Sequence, residues 1–147
     1  PLCLVGSEMC IRDSAMIRGG HIDIAMLGAF EVSENGDLAN WTTNNPTFPP
    51  GVGGAMDLAA GAKQVWALTE HITRDGKPKI VKNCSYPLTS SGCVKRIFTD
   101  LAIIDVSDAG LTVIGMMDGL SLEELQAITE PTLALSPKCY KLDAPQI

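Results

Sequence analysis

The sequence predicts an α/β fold, an open mixed sheet with flanking helices, on three observations. Apolar runs of strand length recur at Ile24 to Leu27, Val65 to Leu68 and Leu101 to Ile104. Helix-favouring segments are interleaved with them, which is the α/β order of elements. Two turn signals, Asn35-Gly36 and Asp108-Ala109-Gly110, each sit between extended pieces and predict hairpins.

In chain order, Ser14 to Gly20 reads as a helix end with glycine at its C-cap. His21 to Gly28 alternates in its first half and is apolar in its second, as expected of a strand buried on both faces. Phe30 to Val32 continues extended, Ser33 to Asp37 turns, and Leu38 to Trp41 returns as the second arm of a hairpin. Ala55 to Ala62 suits a short helix and Lys63 to Glu70 a strand. Thr73 to Pro78 is a turn, Lys79 to Val81 a short extended piece, and Asn83 to Leu88 a loop held by Pro87. Thr89 to Phe98 is expected to be helical, because Val94, Ile97 and Phe98 fall on one helical face. Leu101 to Val106 and Leu111 to Met116 form the second hairpin. Ser121 followed by Glu124 is a capping box opening a helix, and Thr132 to Leu135 is the last strand-like piece.

With 147 residues, 46% hydrophobic and 19% charged, the chain is long enough for one domain with a sizeable core. A net charge of −6 argues against a nucleic-acid or anionic-membrane surface. No apolar run reaches the roughly 18–20 residues of a membrane span. The five cysteines, at 3, 10, 84, 93 and 139, show neither CxxC nor Cys/His ligand spacing, so reduced, cytoplasmic thiols are expected and no metal site. Residues 1–13 have no continuity with the rest of the chain and resemble translated sequencing-adapter sequence. They are expected to be a non-native leader, with a short native strand as the alternative. The domain is expected over 14–137, with 138–147 as a tail.

Among candidates for chemistry, the loop Gly51-Val52-Gly53-Gly54-Ala55 stands out. Three glycines in four positions, running into helix-favouring sequence, can bring backbone N–H groups up to an anion or an oxyanion. The loop is neither a Walker loop nor a dinucleotide fingerprint. Its plainer reading is a tight strand-to-helix turn. Glu34, beside Asn35, could serve as a nucleophile or general base, but Asn-Gly is equally explained by the hairpin turn alone. His21 and His71 read as polar strand-end residues, since no Gly-x-Ser-x-Gly elbow supports a triad; a hydrolase using His71 is the corresponding alternative. Cys84 and Cys93 read as idle thiols, and Trp41 and Trp66 as core or loop anchors.

Four segments taken together carry more information than any one: Ala15-Met16-Ile17-Arg18-Gly19-Gly20-His21-Ile22-Asp23, Gly36-Asp37-Leu38-Ala39-Asn40-Trp41, Val52-Gly53-Gly54-Ala55-Met56-Asp57-Leu58 and Tyr86-Pro87-Leu88-Thr89. In this order they resemble the B subunit (β chain) of the 3-oxoacid coenzyme A-transferases, over essentially Ser14 to Pro137. The Pro-bearing loop between Trp41 and Val52 is more similar to the 3-oxoadipate:succinate branch than to acetoacetate-type members.

The resemblance implies an open α/β sheet, an A subunit (α chain) as partner, and transfer of coenzyme A from succinyl-CoA to a 3-oxoacid (3-oxoadipate or acetoacetate) through a glutamyl-CoA thioester. It implies no metal and no organic prosthetic group, the coenzyme A thioester being a substrate, and no nucleic-acid or membrane partner. It assigns Gly51, Val52, Gly53, Gly54 and Ala55 to a loop contacting the thioester, with Asn40 and Met56 in support. The family nucleophile lies in a Ser-Glu-Asn-Gly motif upstream of the Ile-Arg-Gly-Gly segment. Here Ser33-Glu34-Asn35-Gly36 lies downstream of Ile17-Arg18-Gly19-Gly20, and the flanking residues differ. Glu34 is therefore expected to be a decoy, the catalytic glutamate to be missing from an N-terminally incomplete fold, and the chain to be inactive. A non-catalytic module holding coenzyme A or phosphate through the glycine loop is the alternative.

Overall fold

A computed structural model of the chain describes residues 17, 19–43 and 54–143. Among these, nine strands and two helices follow one another as β1 (Ile24–Gly28), β2 (Glu31–Ser33), β3 (Leu38–Ala39), α1 (Ala55–Gly61), β4 (Gln64–Leu68), β5 (Ile80–Val81), β6 (Val94–Phe98), β7 (Ala102–Ser107), β8 (Gly110–Met117), α2 (Leu122–Ala127) and β9 (Leu133–Leu142). Six strands form one sheet in the order β1-β4-β6-β7-β8-β9, and three form a small second sheet in the order β3-β2-β5. The large sheet is mixed: β1, β4 and β6 run parallel, β6, β7 and β8 alternate antiparallel, and β9 lies parallel to β8. Val32, Leu38, Ala67, Ile80, Ile97, Ile104 and Val113 are fully buried and join both sheets in one core.

Both expected hairpins form. In the first, Val32 pairs with Leu38 and Glu31 with Ala39. In the second, Ser107 pairs with Gly110. The capping box at Ser121 is complete, with reciprocal bonds between Ser121 and Glu124. Gly20, at φ 72°, donates to the Ile17 carbonyl at 3.2 Å in a left-handed turn, and residues 14–16 and 18 of the helix end expected over Ser14 to Gly20 lie outside the described residues.

Three expectations fail, each for a physical reason. The segment Thr89 to Phe98 is not helical; its second half is strand β6. Val94 pairs with Val65 but Arg96 with Trp66, so Lys95 is an extra, bulged residue. The bulge puts Val94 and Ile97, three apart, on the same buried face, and a strand so interrupted imitates helical spacing. β1 is not buried on both faces: it alternates, leaving Ile24 44% and Met26 56% exposed on the sheet edge. The last strand runs beyond Leu135, through part of the segment expected to be a tail. Leu135 pairs with Val113 and Tyr140 with Gly115, so Ser136 to Cys139 loop out opposite Ile114. Pro137, which has no N–H to donate, sits in that unpaired stretch.

Candidate functional site at the carboxyl ends of β1 and β4

In a sheet with parallel strands, ligands bind in the crevice beyond the carboxyl ends. Here β1 ends at Gly28 and β4 at Leu68, and the Ala29 N–H donates to the Leu68 carbonyl at 3.1 Å. The chain leaves β1 into the β2–β3 hairpin and re-enters through α1 to β4. Lys63 and Gln64 N–H groups donate to the Ile22 and Asp23 carbonyls, which places the carboxyl end of α1 beside the start of β1. The amino end of α1 is at Gly54 and Ala55.

A crevice of about 420 Å³ opens there, lined by Gly28, Ala29, Phe30, Asn40, Leu68, Thr69, Glu70 and Lys79. Asn40 is fixed on its inner side: Nδ2 donates to the Gly28 carbonyl at 3.0 Å, and Oδ1 accepts from the Thr89 hydroxyl at 2.6 Å. Thr89 lies in a loop that Glu31 holds. One carboxylate oxygen of Glu31 accepts from the Ser85 N–H at 2.6 Å and the Tyr86 N–H at 3.3 Å, and the other accepts from the Ser85 hydroxyl at 2.8 Å. Tyr86 meets Phe30 edge-on, with centroids 6.5 Å apart, and Trp41 donates to the Leu88 carbonyl. Lys79 pairs with Glu70 at 3.3 Å on the crevice wall.

Asn40, expected from the sequence as a supporting residue, lines this crevice. Met56 is exposed on the first turn of α1. Gly54 has φ −65°, open to any residue, and a Cβ there meets nothing within 4 Å, so neither backbone conformation nor internal packing demands a glycine. Gly51, Val52 and Gly53 lie outside the described residues. The contributions of Glu31, Glu70, Lys79 and Thr89 were not read from sequence; only the Tyr86-Pro87-Leu88-Thr89 motif hinted at one of them.

Glu34 lies elsewhere. It sits at the tip of the β2–β3 hairpin, while Phe30 and Asn40 sit at its open end, about four residues or roughly 13 Å away along extended chain. Glu34 and Asn35 line a different groove, of about 470 Å³, together with Lys95, Ser107 to Leu111 and Thr132 to Ala134; it shares no residue with the crevice. The residues around Glu34 have structural employment. Ser33 Oγ accepts from the Asp37 N–H at 3.0 Å and donates to Asp37 Oδ2 at 2.9 Å. The hydroxyls of Ser91 and Ser33 and the Gly92 N–H hold the Asp37 carboxyl below its ordinary range, with burial opposing them.

His71 is not at a catalytic position. It is fully buried, with Nδ1 at 3.1 Å from Thr99 Oγ1 and Nε2 at 2.8 Å from Thr129 Oγ1. Thr129 Oγ1 also donates to the Leu125 carbonyl and Thr99 Oγ1 to the Ala102 carbonyl, so two anchored hydroxyls clamp the ring from both sides. Burial pushes the imidazole pKa down, against the pull of Asp100. The Cys84 thiol is pushed up to about 12 by burial and by the Glu31 and Asp37 charges, and burial also raises Cys93, so neither is a thiolate nucleophile at neutral pH. Among the described residues no group of three or more His, Cys, Asp or Glu could hold a metal ion, and no helix is long and apolar enough to cross a membrane.

The family profile described as Coenzyme A transferase matches residues 7–127. The chain belongs to the coenzyme A transferase family. The match begins inside the segment 1–13 that the sequence had set apart. Over 119 residues the transferase chain is 59% identical to the B subunit of 3-oxoadipate CoA-transferase from Acinetobacter baylyi, covering 81% of this chain and 55% of that one. It is 48% identical over 122 residues to the B subunit of a probable succinyl-CoA:3-ketoacid coenzyme A transferase from Bacillus subtilis, covering 83% and 56%. It therefore spans little more than half the length of these relatives. Among solved structures, an acyl-CoA transferase of Escherichia coli O157:H7 superposes with a TM-score of 0.75 at 21% identity, over 88% of this chain and 29% of that one. Glutaconate coenzyme A-transferase of Acidaminococcus fermentans gives 0.61 at 17%, over 84% and 54%. These two establish the fold, a mixed α/β sheet with few helices.

Proposed function

We propose that this chain is part of the B subunit of a cytoplasmic 3-oxoacid coenzyme A-transferase, which works with an A subunit and moves coenzyme A from succinyl-CoA to 3-oxoadipate or acetoacetate. In that reaction a glutamate attacks the thioester carbonyl, expelling the coenzyme A thiolate and leaving an acyl-glutamyl anhydride. The thiolate then attacks the glutamyl carbonyl, releasing succinate and forming a glutamyl-CoA thioester. The 3-oxoacid carboxylate reverses both steps. Each step develops an oxyanion that fixed N–H donors stabilise. Gly51, Val52, Gly53, Gly54 and Ala55 are the donors this reading assigns, with Asn40 and Met56 beside them. No metal or prosthetic group takes part.

The observation that carries the reading is the crevice beyond β1 and β4, whose Asn40 is clamped in place by Gly28 and Thr89. Within this reading the nucleophile is a glutamate that the sequence does not contain. Glu31 has both carboxylate oxygens engaged, Glu70 is paired with Lys79, and Glu34 faces another groove. The test is a hybrid in which residues 14–143 replace the matching part of the Acinetobacter baylyi B subunit, assayed with the A subunit of the same enzyme. The hybrid should exchange coenzyme A between succinyl-CoA and 3-oxoadipate, whereas this chain with the same A subunit should give none. Glu34→Gln should leave the hybrid within twofold; abolition of exchange by that substitution would make Glu34 the nucleophile after all.

A further inference from the structure

The crevice contains an ion pair that the transfer chemistry does not use. Lys79 and Glu70 both line it, and their side chains differ in exposure: 17% for Lys79 and 66% for Glu70. The lysine is thus held by the wall while the glutamate reaches in from solvent. At 3.3 Å the contact is long for a charge-assisted bond. An ammonium has three donors, and among the described residues this one meets the Glu70 carboxylate. The main chain on either side of Lys79 is fixed: its carbonyl accepts from the Val32 N–H at 3.0 Å and its N–H donates to the His71 carbonyl at 3.1 Å. Close by, Asn40 Nδ2 spends one proton on Gly28 and keeps a second. The remaining walls are apolar or closed. Phe30 and Leu68 are both well exposed to the crevice, and the Thr69 hydroxyl is turned away to the Ala29 carbonyl at 2.9 Å.

We propose that this crevice is a carboxylate subsite, in which Lys79 and Asn40 receive the non-reacting carboxylate of a dicarboxylic acyl substrate. Glu70 is its resident stand-in: a carboxylate already rests against the Lys79 ammonium, and an incoming one displaces it toward solvent. Phe30 and Leu68 offer apolar surface to the methylene chain between the two acid groups, which a short monocarboxylic oxoacid lacks. The crevice thereby favours dicarboxylic over monocarboxylic acceptors. The proposal rests on the transferase reading for the word substrate, but the binding it describes requires no acyl-CoA.

Two measurements separate the two claims. By calorimetry on the purified chain, adipate should bind saturably and the neutral 1,6-hexanediol should not. Lys79→Met should weaken adipate at least tenfold, Lys79→Arg should recover most of the affinity, and Glu70→Gln should tighten it several-fold by removing the competitor. Adipate binding that ignores Lys79→Met overturns the proposal. So does 3′-phosphoadenosine 5′-phosphate losing tenfold affinity in Lys79→Met while adipate loses none, which would make Lys79 a phosphate contact. In the hybrid enzyme, Lys79→Met should raise KM about tenfold for both 3-oxoadipate and succinyl-CoA, with kcat within twofold and the acetoacetate KM at saturating succinyl-CoA unchanged. Exchange abolished by Glu70→Gln would instead place Glu70 in the chemistry and overturn its role as stand-in. An inactive hybrid defeats the transferase reading and leaves the calorimetric outcome to decide this one.

Discussion

Replacing His71 by alanine should lower unfolding stability by about 3 kcal/mol, the sum of a lost buried ring and two lost hydrogen bonds. The residue ties three elements together. Its main-chain N–H donates to Asp100 Oδ1 at 2.7 Å after β6, its ring meets Thr99 in the same turn, and Nε2 lies 2.8 Å from Thr129 Oγ1 just beyond α2. A pH dependence arises from the same geometry. The folded pKa lies below the ordinary 6.5, so between those two values the unfolded chain binds a proton that the folded chain does not. Stability should hold above about pH 6.5 and fall as the pH drops through the window beneath it. Urea titrations at about pH 7.5 and about pH 5.5 read both effects. In His71→Gln, which keeps one amide donor and cannot titrate, the acid-side loss should shrink. A cost below about 1 kcal/mol for His71→Ala, or stability rising on acidification, would contradict the assignment.

Gly36→Ala should cost a comparable amount, about 3 kcal/mol, from two sources that add at one site. Gly36 has φ 82°, a conformation L side chains rarely adopt, and a Cβ there would lie 2.7 Å from the Val94 carbonyl oxygen. That carbonyl cannot retreat freely, because the neighbouring Val94 N–H donates to the Gly36 carbonyl at 3.0 Å and seats the small sheet on β6. Two residues away, Glu34→Ala should be neutral within about 0.5 kcal/mol, as expected of a surface change away from such features. The contrast bears on the Ser-Glu-Asn-Gly tetrapeptide directly. Serine and glycine are explained by the turn, and among the described bonds none involves the side chain of Glu34 or Asn35. A large cost at Glu34 with little at Gly36 would reverse the reading.

What could be read from sequence was local. The two hairpins, the capping box at Ser121 and the glycine that ends the turn at Gly20 each depend on residues within about four positions of one another. β6 was hidden because its bulge at Lys95 is defined only against β4, about thirty residues earlier. β1 was overestimated for a similar reason: an apolar run shows that a segment can be buried, but only the sheet order shows that it lies at an edge. The candidate site divides in the same way. Asn40 and Gly54 were both nominated by contiguous motifs, and of the two Asn40 lines the crevice. Glu31, which holds Ser85 and Tyr86 more than fifty residues away, and Lys79, which depends on the β4 end for Glu70, become visible only when the chain is folded.

The central claim is that the substrate-facing part of this chain is the crevice beyond β1 and β4, and not the groove at the hairpin tip. Hydrogen exchange with and without a non-reactive coenzyme A thioester analogue tests it most directly. Peptides covering Gly28 to Phe30, Asn40, Gly54 to Met56 and Leu68 to Glu70 should slow in exchange on binding, while those covering Glu34, Asn35 and Ser107 to Gly110 should not change. Protection confined to the Glu34 groove, with the β1 and β4 ends unaffected, would contradict the account.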